Sequence, residues 1–213
     1  MAKDMVALMQ SLGFARFRVL AHDRGARVTH RMLVDHPSAV ERATLLDIAP
    51  TLAMYEQTSM EFARAYFHWF FLIQREPLPE TMIEAKPEFF IEKMMGNRHA
   101  GLAAFAPEAL AEYRRCIRLP GIAHSICEDY RAAATIDLDH DRADRDAGRK
   151  VTQLLQVLWG ANGVIEKCFK PLADWQRVAI DVRGGALPSG HYIPEEAPDA
   201  LLATALPFLR DGL

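Results

Sequence analysis

The stretch Phe17-Arg18-Val19-Leu20-Ala21-His22-Asp23-Arg24-Gly25-Ala26 decides how the chain is read. Phe17 to Ala21 have strand character, and Val28 to His36 then follow a helical pattern that Pro37 closes. A second strand, Thr44-Leu45-Leu46-Asp47-Ile48, stops at Pro50. Strand, abrupt turn, helix and strand make a βαβ unit, which predicts a parallel sheet covered by helices. The turn itself is informative. A strand bending at once into a helix crowds its apex, which asks for small residues two before and two after; Ala21 and Gly25 meet that demand. The apex side chain, Asp23, is then expected at the carboxyl end of the sheet, beside a helix N-terminus that favours negative charge. A carboxylate so placed can attack carbon directly. The plainer reading is a βα turn with a capping aspartate.

Working outward, Met5, Leu8, Met9 and Leu12 space as one helix face ended by Gly13. From Thr51 to about Lys150 helical patterns dominate, separated by Pro77, Pro79, Pro87, Pro107 and Pro120. One of them carries Leu110, Tyr113 and Ile117. Strand character returns at Leu154–Trp159 and Val178–Val182, and Pro198–Leu209 sets Leu201, Leu202, Ala205, Leu206 and Leu209 on one helical side. The expected organisation is an α/β core at 1–51 and 151–213 with a helical segment, 52–150, inserted after the second strand. The stretch Asp137 to Asp146, with His140 inside, reads as a solvated connector rather than a metal site, because its Asp and Arg residues alternate.

Composition narrows the function. At 213 residues, 50% hydrophobic and 25% charged, the chain is globular rather than disordered or fibrous. A net charge of -3 offers no basic field for nucleic acid or anionic lipid. No apolar run approaches the ~20 residues that cross a bilayer. The start, Met1-Ala2-Lys3-Asp4, lacks a signal-peptide core, so a cytoplasmic location is expected. Cys116, Cys127 and Cys168 are too few and scattered for a disulfide framework or zinc site. No metal and no cofactor is expected.

Two arginines sharpen the reading of Asp23. Arg24 adjoins it and Arg27 lies one helical turn beyond, so both can reach the same mouth. Such a pair makes sense if the substrate is itself an acid, clamped by its carboxylate, with the same cations keeping Asp23 ionised.

The segments HDRGARVTHRM (22–32), DHP (35–37), LDIAPT (46–51), FHWFF (67–71), DYRAAATID (129–137) and Gly190-His191 together resemble the α/β-hydrolase superfamily, and within it the haloacetate (fluoroacetate) dehalogenases. The resemblance implies a halogenated carboxylic acid as substrate. Asp23 would displace the halide to form an ester, His191 would activate the water that cleaves it, and Asp47 would orient His191. Internally, the other common place for that acid, after Trp159, holds Gly160-Ala161-Asn162 and no carboxylate. The resemblance also assigns His68, Trp69 and Tyr130 to the departing halide, which a dry pocket must hydrogen-bond. The family's early strands, and a His-Gly loop giving one oxyanion donor, have no counterpart in the 22 residues before Asp23. The sheet is therefore expected to be reduced, with the strand ending at Ala21 at an open edge, which leaves a homodimer open. An epoxide or ester hydrolase on the same scaffold, with Tyr66 or Tyr113 partnering Tyr130, is the sibling alternative. A catalytically silent or oligomerising chain is the alternative of another class.

Overall fold

A computed structural model describes residues 1–211. Helix α1 (Ala2–Ser11) leads into strand β1 (Phe17–His22), helix α2 (Asp23–Asp35) and strand β2 (Val40–Leu46). Helices α3 (Thr51–Glu56), α4 (Met60–Ala65), α5 (Phe67–Phe71), α6 (Leu78–Ala85), α7 (Pro87–Gly96), α8 (Pro107–Ile117), α9 (Ile122–Ala134) and α10 (Ile136–Asp146) follow, with a 3-10 turn at Gly101–Ala104. The chain then closes with β3 (Leu154–Gly160), α11 (Val164–Cys168), α12 (Pro171–Val178), β4 (Val182–Leu187), α13 (Ile193–Glu196) and α14 (Pro198–Asp211). Among the described residues the strands form one sheet in the order β1-β2-β3-β4, and every pairing is parallel.

The two central strands are buried on both faces, as a helix-covered parallel sheet requires. Ala43, Leu45, Leu155 and Val157 point into one core with Ala26 and Leu33 of α2 and Trp175 of α12. Leu46 and Leu158 point the other way, against Ile193, Leu201 and Ala205. Between them on that second face, Thr44 donates to the Gln156 side chain at 2.9 Å, so this buried polar pair is satisfied. Leu45 has no exposed surface; truncating such a side chain to alanine costs about 2–5 kcal/mol, which fixes the register that places Asp47.

Several local expectations shift. Helix α2 starts at Asp23 rather than Val28, because extended His22 (φ -119°, ψ 144°) caps it directly. A Cβ at Gly25 would meet nothing within 4 Å, so the crowding expected there is not present. The last strand is Val182–Leu187, not Val178–Val182: Val178 ends α12, and Ile180 is 68% exposed. Its real sequence, with two central glycines, hides the strand. Gly184 has φ +147°, and a Cβ there would lie 1.8 Å from the Val157 carbonyl oxygen, so only glycine lets β4 approach β3. Asp137–Asp146 is not a connector but lies in α10, tied to α2 by Arg31 Nη2 to Asp144 Oδ2 at 2.7 Å. Asp141 and Asp144 face Arg31, while Asp139, Arg142, Arg145 and Asp146 lie on the exposed side of the helix. Finally, Met5 and Leu8 of α1 and Leu12 just after it stay exposed while Val6 is buried, and on α14 the buried stripe is Leu201, Ala205 and Phe208 with Leu202 outside. No helix among the described residues is long and apolar enough to cross a membrane.

Candidate active site

Parallel strands bring their carboxyl ends to one side, where three loops converge. Asp23 follows β1, Asp47 follows β2, and His191 follows β4. Both aspartates have positive φ, +46° for Asp23 and +50° for Asp47. Non-glycine residues in this region cost about 1–3 kcal/mol and persist where the surroundings over-determine them. Here the bends hold both carboxylates against one imidazole. His191 Nδ1 lies 2.6 Å from Asp47 Oδ2, and His191 Nε2 lies 3.6 Å from Asp23 Oδ2. Asp47 is fully buried, and its Oδ1 accepts the Gly160 N–H at 2.9 Å, fixing the carboxylate plane.

The electrostatics follow from that geometry. Burial would push His191 toward neutrality, but hydrogen bonds and charge from Asp23 and Asp47 overcome it and raise its pKa from 6.5 to about 9. Burial would raise the Asp23 carboxyl; the hydrogen bond and charge of His191 outweigh it, with a smaller contribution from Arg27, and hold Asp23 well below the usual range. The expectation that the arginine pair keeps Asp23 ionised is thus corrected. The imidazolium is the main partner, because Arg24 is committed elsewhere: its Nε donates to Asp129 Oδ2 at 2.5 Å.

The guanidinium of Arg24 stacks over Tyr130 at 4.7 Å and that of Arg27 over Trp69 at 4.6 Å. Arg27 is buried and donates only to neutral groups, the Ala49 carbonyl at 3.2 Å and Thr51 Oγ1 at 3.0 Å. Burial, reinforced by Arg24, lowers its pKa, the mark of a cation without a counter-charge. Arg24 Nη1 and Arg27 Nε are buried with no acceptor, an arrangement that suits an incoming anion.

His68, Trp69 and Tyr130 come together above this centre. The His68 and Tyr130 rings lie 5.9 Å apart and the Trp69 and Tyr130 rings 6.2 Å apart. Burial, then the charge of Arg98, depresses His68 to about 3, so it is neutral. Burial raises the Tyr130 hydroxyl, which stays protonated. The sequence reading placed no role on His22, Arg98 or Tyr192. His22 Nε2 donates to the His191 carbonyl oxygen at 2.7 Å and packs its ring 4.8 Å from that of His191. Tyr66, weighed only as an epoxide-opening tyrosine, sets its hydroxyl 3.5 Å from His191 Nδ1. Adjacency to Asp23 was the one available signal for His22; Arg98 carried none. Tyr113, the other tyrosine weighed, is exposed and donates its hydroxyl to Glu195 instead.

A family model described as the alpha/beta hydrolase fold matches residues 1–103. A fluoroacetate dehalogenase of Burkholderia sp. is 41% identical over 213 residues, covering 100% of this chain and 69% of that protein. The chain belongs to the α/β-hydrolase family. This α/β-hydrolase is also 29% identical over 215 residues to a soluble epoxide hydrolase of Corynebacterium sp. (strain C12), covering 98% of this chain and 72% of that protein. The crystal structure of ALR0039 from Nostoc sp PCC 7120 superposes with a TM-score of 0.95 at 50% identity, covering 99% of this chain and 72% of that one. These likenesses mark the α/β-hydrolase as an enzyme of dehalogenase-like type.

Proposed function

We propose that the protein hydrolyses the carbon–halogen bond of haloacetates, giving glycolate and halide through an ester on Asp23. One observation carries the reading. The Asp23 carboxylate faces an imidazolium backed by Asp47 and lies in the field of two guanidiniums, half-buried Arg24 and buried Arg27, whose buried atoms Arg24 Nη1 and Arg27 Nε lack acceptors. A carboxylate poised as a nucleophile beside guanidinium N–H groups that lack acceptors suits an acid whose α-carbon carries a leaving group.

The substrate carboxylate docks on Arg24 and Arg27, which aligns the α-carbon with Asp23. An Asp23 oxygen forms a bond to that carbon as the halide leaves with the carbon–halogen electron pair. His68, Trp69 and Tyr130 donate hydrogen bonds to the departing ion. Esterification removes the Asp23 negative charge, the largest of the interactions that raise the His191 pKa against burial. The imidazolium therefore loses its proton and becomes a base. Water then attacks the ester carbonyl carbon, giving one proton to His191 Nε2; the tetrahedral adduct collapses by breaking the ester C–O bond, the departing glycolate oxygen takes the water's second proton, and the Asp23 carboxylate is restored. The net change consumes one water and yields halide and one proton. In this scheme 52–150 acts as a cap that brings the halide donors over the core of 1–51 and 151–213.

The test is halide and glycolate release from fluoroacetate and chloroacetate. His191→Asn is expected to trap the acyl mass on the Asp23 peptide, and Asp23→Asn to release nothing. Full-length folded protein that frees no halide overturns the reading. The likeness to a soluble epoxide hydrolase, together with Tyr66 beside His191 and Tyr130 within the field of Asp23, favours epoxide opening as a second reading. Faster turnover of a neutral epoxide than of chloroacetate would decide for it.

A further inference from the structure

Arg98 lies in the turn after α7, outside every role assigned so far. The turn is pinned to the His191 loop: a Cβ on Gly190 would lie 2.5 Å from the Cβ of His99. Only glycine at 190 permits that approach, so Arg98 is delivered to the centre by close backbone packing. Its guanidinium stacks over Tyr66 at 4.3 Å, the same tyrosine whose hydroxyl faces His191. Among the described residues no carboxylate lies within ion-pair distance of it, and its Nε is buried without an acceptor. The carboxylate whose field it feels is Asp23.

Arg24 over Tyr130, Arg27 over Trp69 and Arg98 over Tyr66 thus form three guanidinium–aromatic stacks around one nucleophile, each presenting one buried N–H without a partner. Stacking fixes the plane of a guanidinium and leaves its edge to bind. A buried N–H of a cation with no acceptor is costly, and an anionic ligand removes that cost.

We propose that Arg98 is a third substrate-binding cation, a specificity-determining residue that makes the site take acids in preference to neutral halides and epoxides of the same size. The proposal rests on reading the site as one for an anionic acid. Chloroacetate and its neutral isostere chloroacetamide separate charge from shape.

In Arg98→Met the kcat/KM for chloroacetate is expected to fall about tenfold or more, chiefly through KM, with chloroacetamide changed less than about twofold. Arg98→Lys is expected to retain most of the chloroacetate value, because the charge remains. An equal loss on both substrates, a loss confined to kcat, or no loss overturns the proposal. To keep this independent of turnover, chloroacetate binding is measured calorimetrically in Asp23→Asn, with and without Arg98→Met. The dissociation constant is expected to rise about tenfold, and an unchanged value overturns the proposal. Weakened binding with no halide release from the wild type would instead retain Arg98 and reject the dehalogenation reading. Far-ultraviolet dichroism and thermal melts check that each variant is folded; if Arg98→Met is not, Arg98→Gln replaces it.

Discussion

Replacing Asp47 with asparagine separates the two halves of the proposed reaction. Asp47 is buried, with Oδ2 2.6 Å from His191 Nδ1 and Oδ1 accepting the Gly160 N–H at 2.9 Å. An asparagine oxygen retains the Gly160 bond, which turns the amide N–H toward Nδ1. The ring must then accept at Nδ1 and carry its proton on Nε2, the nitrogen 3.6 Å from Asp23. A base with the proton on the wrong nitrogen cannot take one from water. Losing a hydrogen bond to a charged group costs about 1.5–3 kcal/mol, and the wrong tautomer adds to it. The corresponding substitution in a Ser-His-Asp triad lowers kcat about 10⁴-fold, and about 10³–10⁴-fold is expected here. Displacement of halide by Asp23 needs no base and is expected to survive. Rapid-quench measurement of chloride should therefore show a burst equal to the active sites, followed by a steady rate slower by that factor. The Asp23 peptide should carry the acyl mass during the slow phase. A folded variant with no burst, or with a steady rate within about tenfold of wild type, would refute the reasoning.

Two further outcomes test the framework. His191 binds its proton more tightly folded than unfolded, its pKa rising from 6.5 to about 9. Its contribution to stability is therefore full below pH 6.5 and is lost as pH rises through about 9. At roughly 1.4 kcal/mol per pH unit that is at most about 3 kcal/mol, or about 6–12 °C in Tm for a chain of this size. Melts at pH 6.5 and 9.5 should show a drop in wild type that His191→Asn lacks; an identical drop in both rejects the linkage. Gly184→Ala places a Cβ 1.8 Å from the Val157 carbonyl oxygen and forces β4 off β3. A loss of about 3 kcal/mol or more is expected by urea denaturation, and a variant within about 1 kcal/mol of wild type contradicts the packing argument.

The residues themselves determined the βαβ start, the bend at Asp23 and the helical character of 52–150, because these depend on neighbours along the chain. The strand–turn–helix–strand order announced a parallel sheet covered by helices, and proline and glycine marked most ends. Local patterning was blind to β4, whose Val182–Leu187 sequence looks like a loop until Val157 of a distant strand explains Gly184. Within the helical segment it took Asp137–Asp146 for a connector, because the partner of Asp141 and Asp144, Arg31, is reached only across space. The resemblance supplied Asp23, Asp47, His191 and the halide donors as names; their separations came only from the crossing of three loops at the ends of parallel strands. Which cation answers which carboxylate was likewise a tertiary matter. Arg24 is absorbed by Asp129, more than a hundred residues away, while Arg27 and Arg98 are left unpaired. Charge pairing depends on distance through space, and a chain that folds back on itself makes those distances independent of position in the sequence.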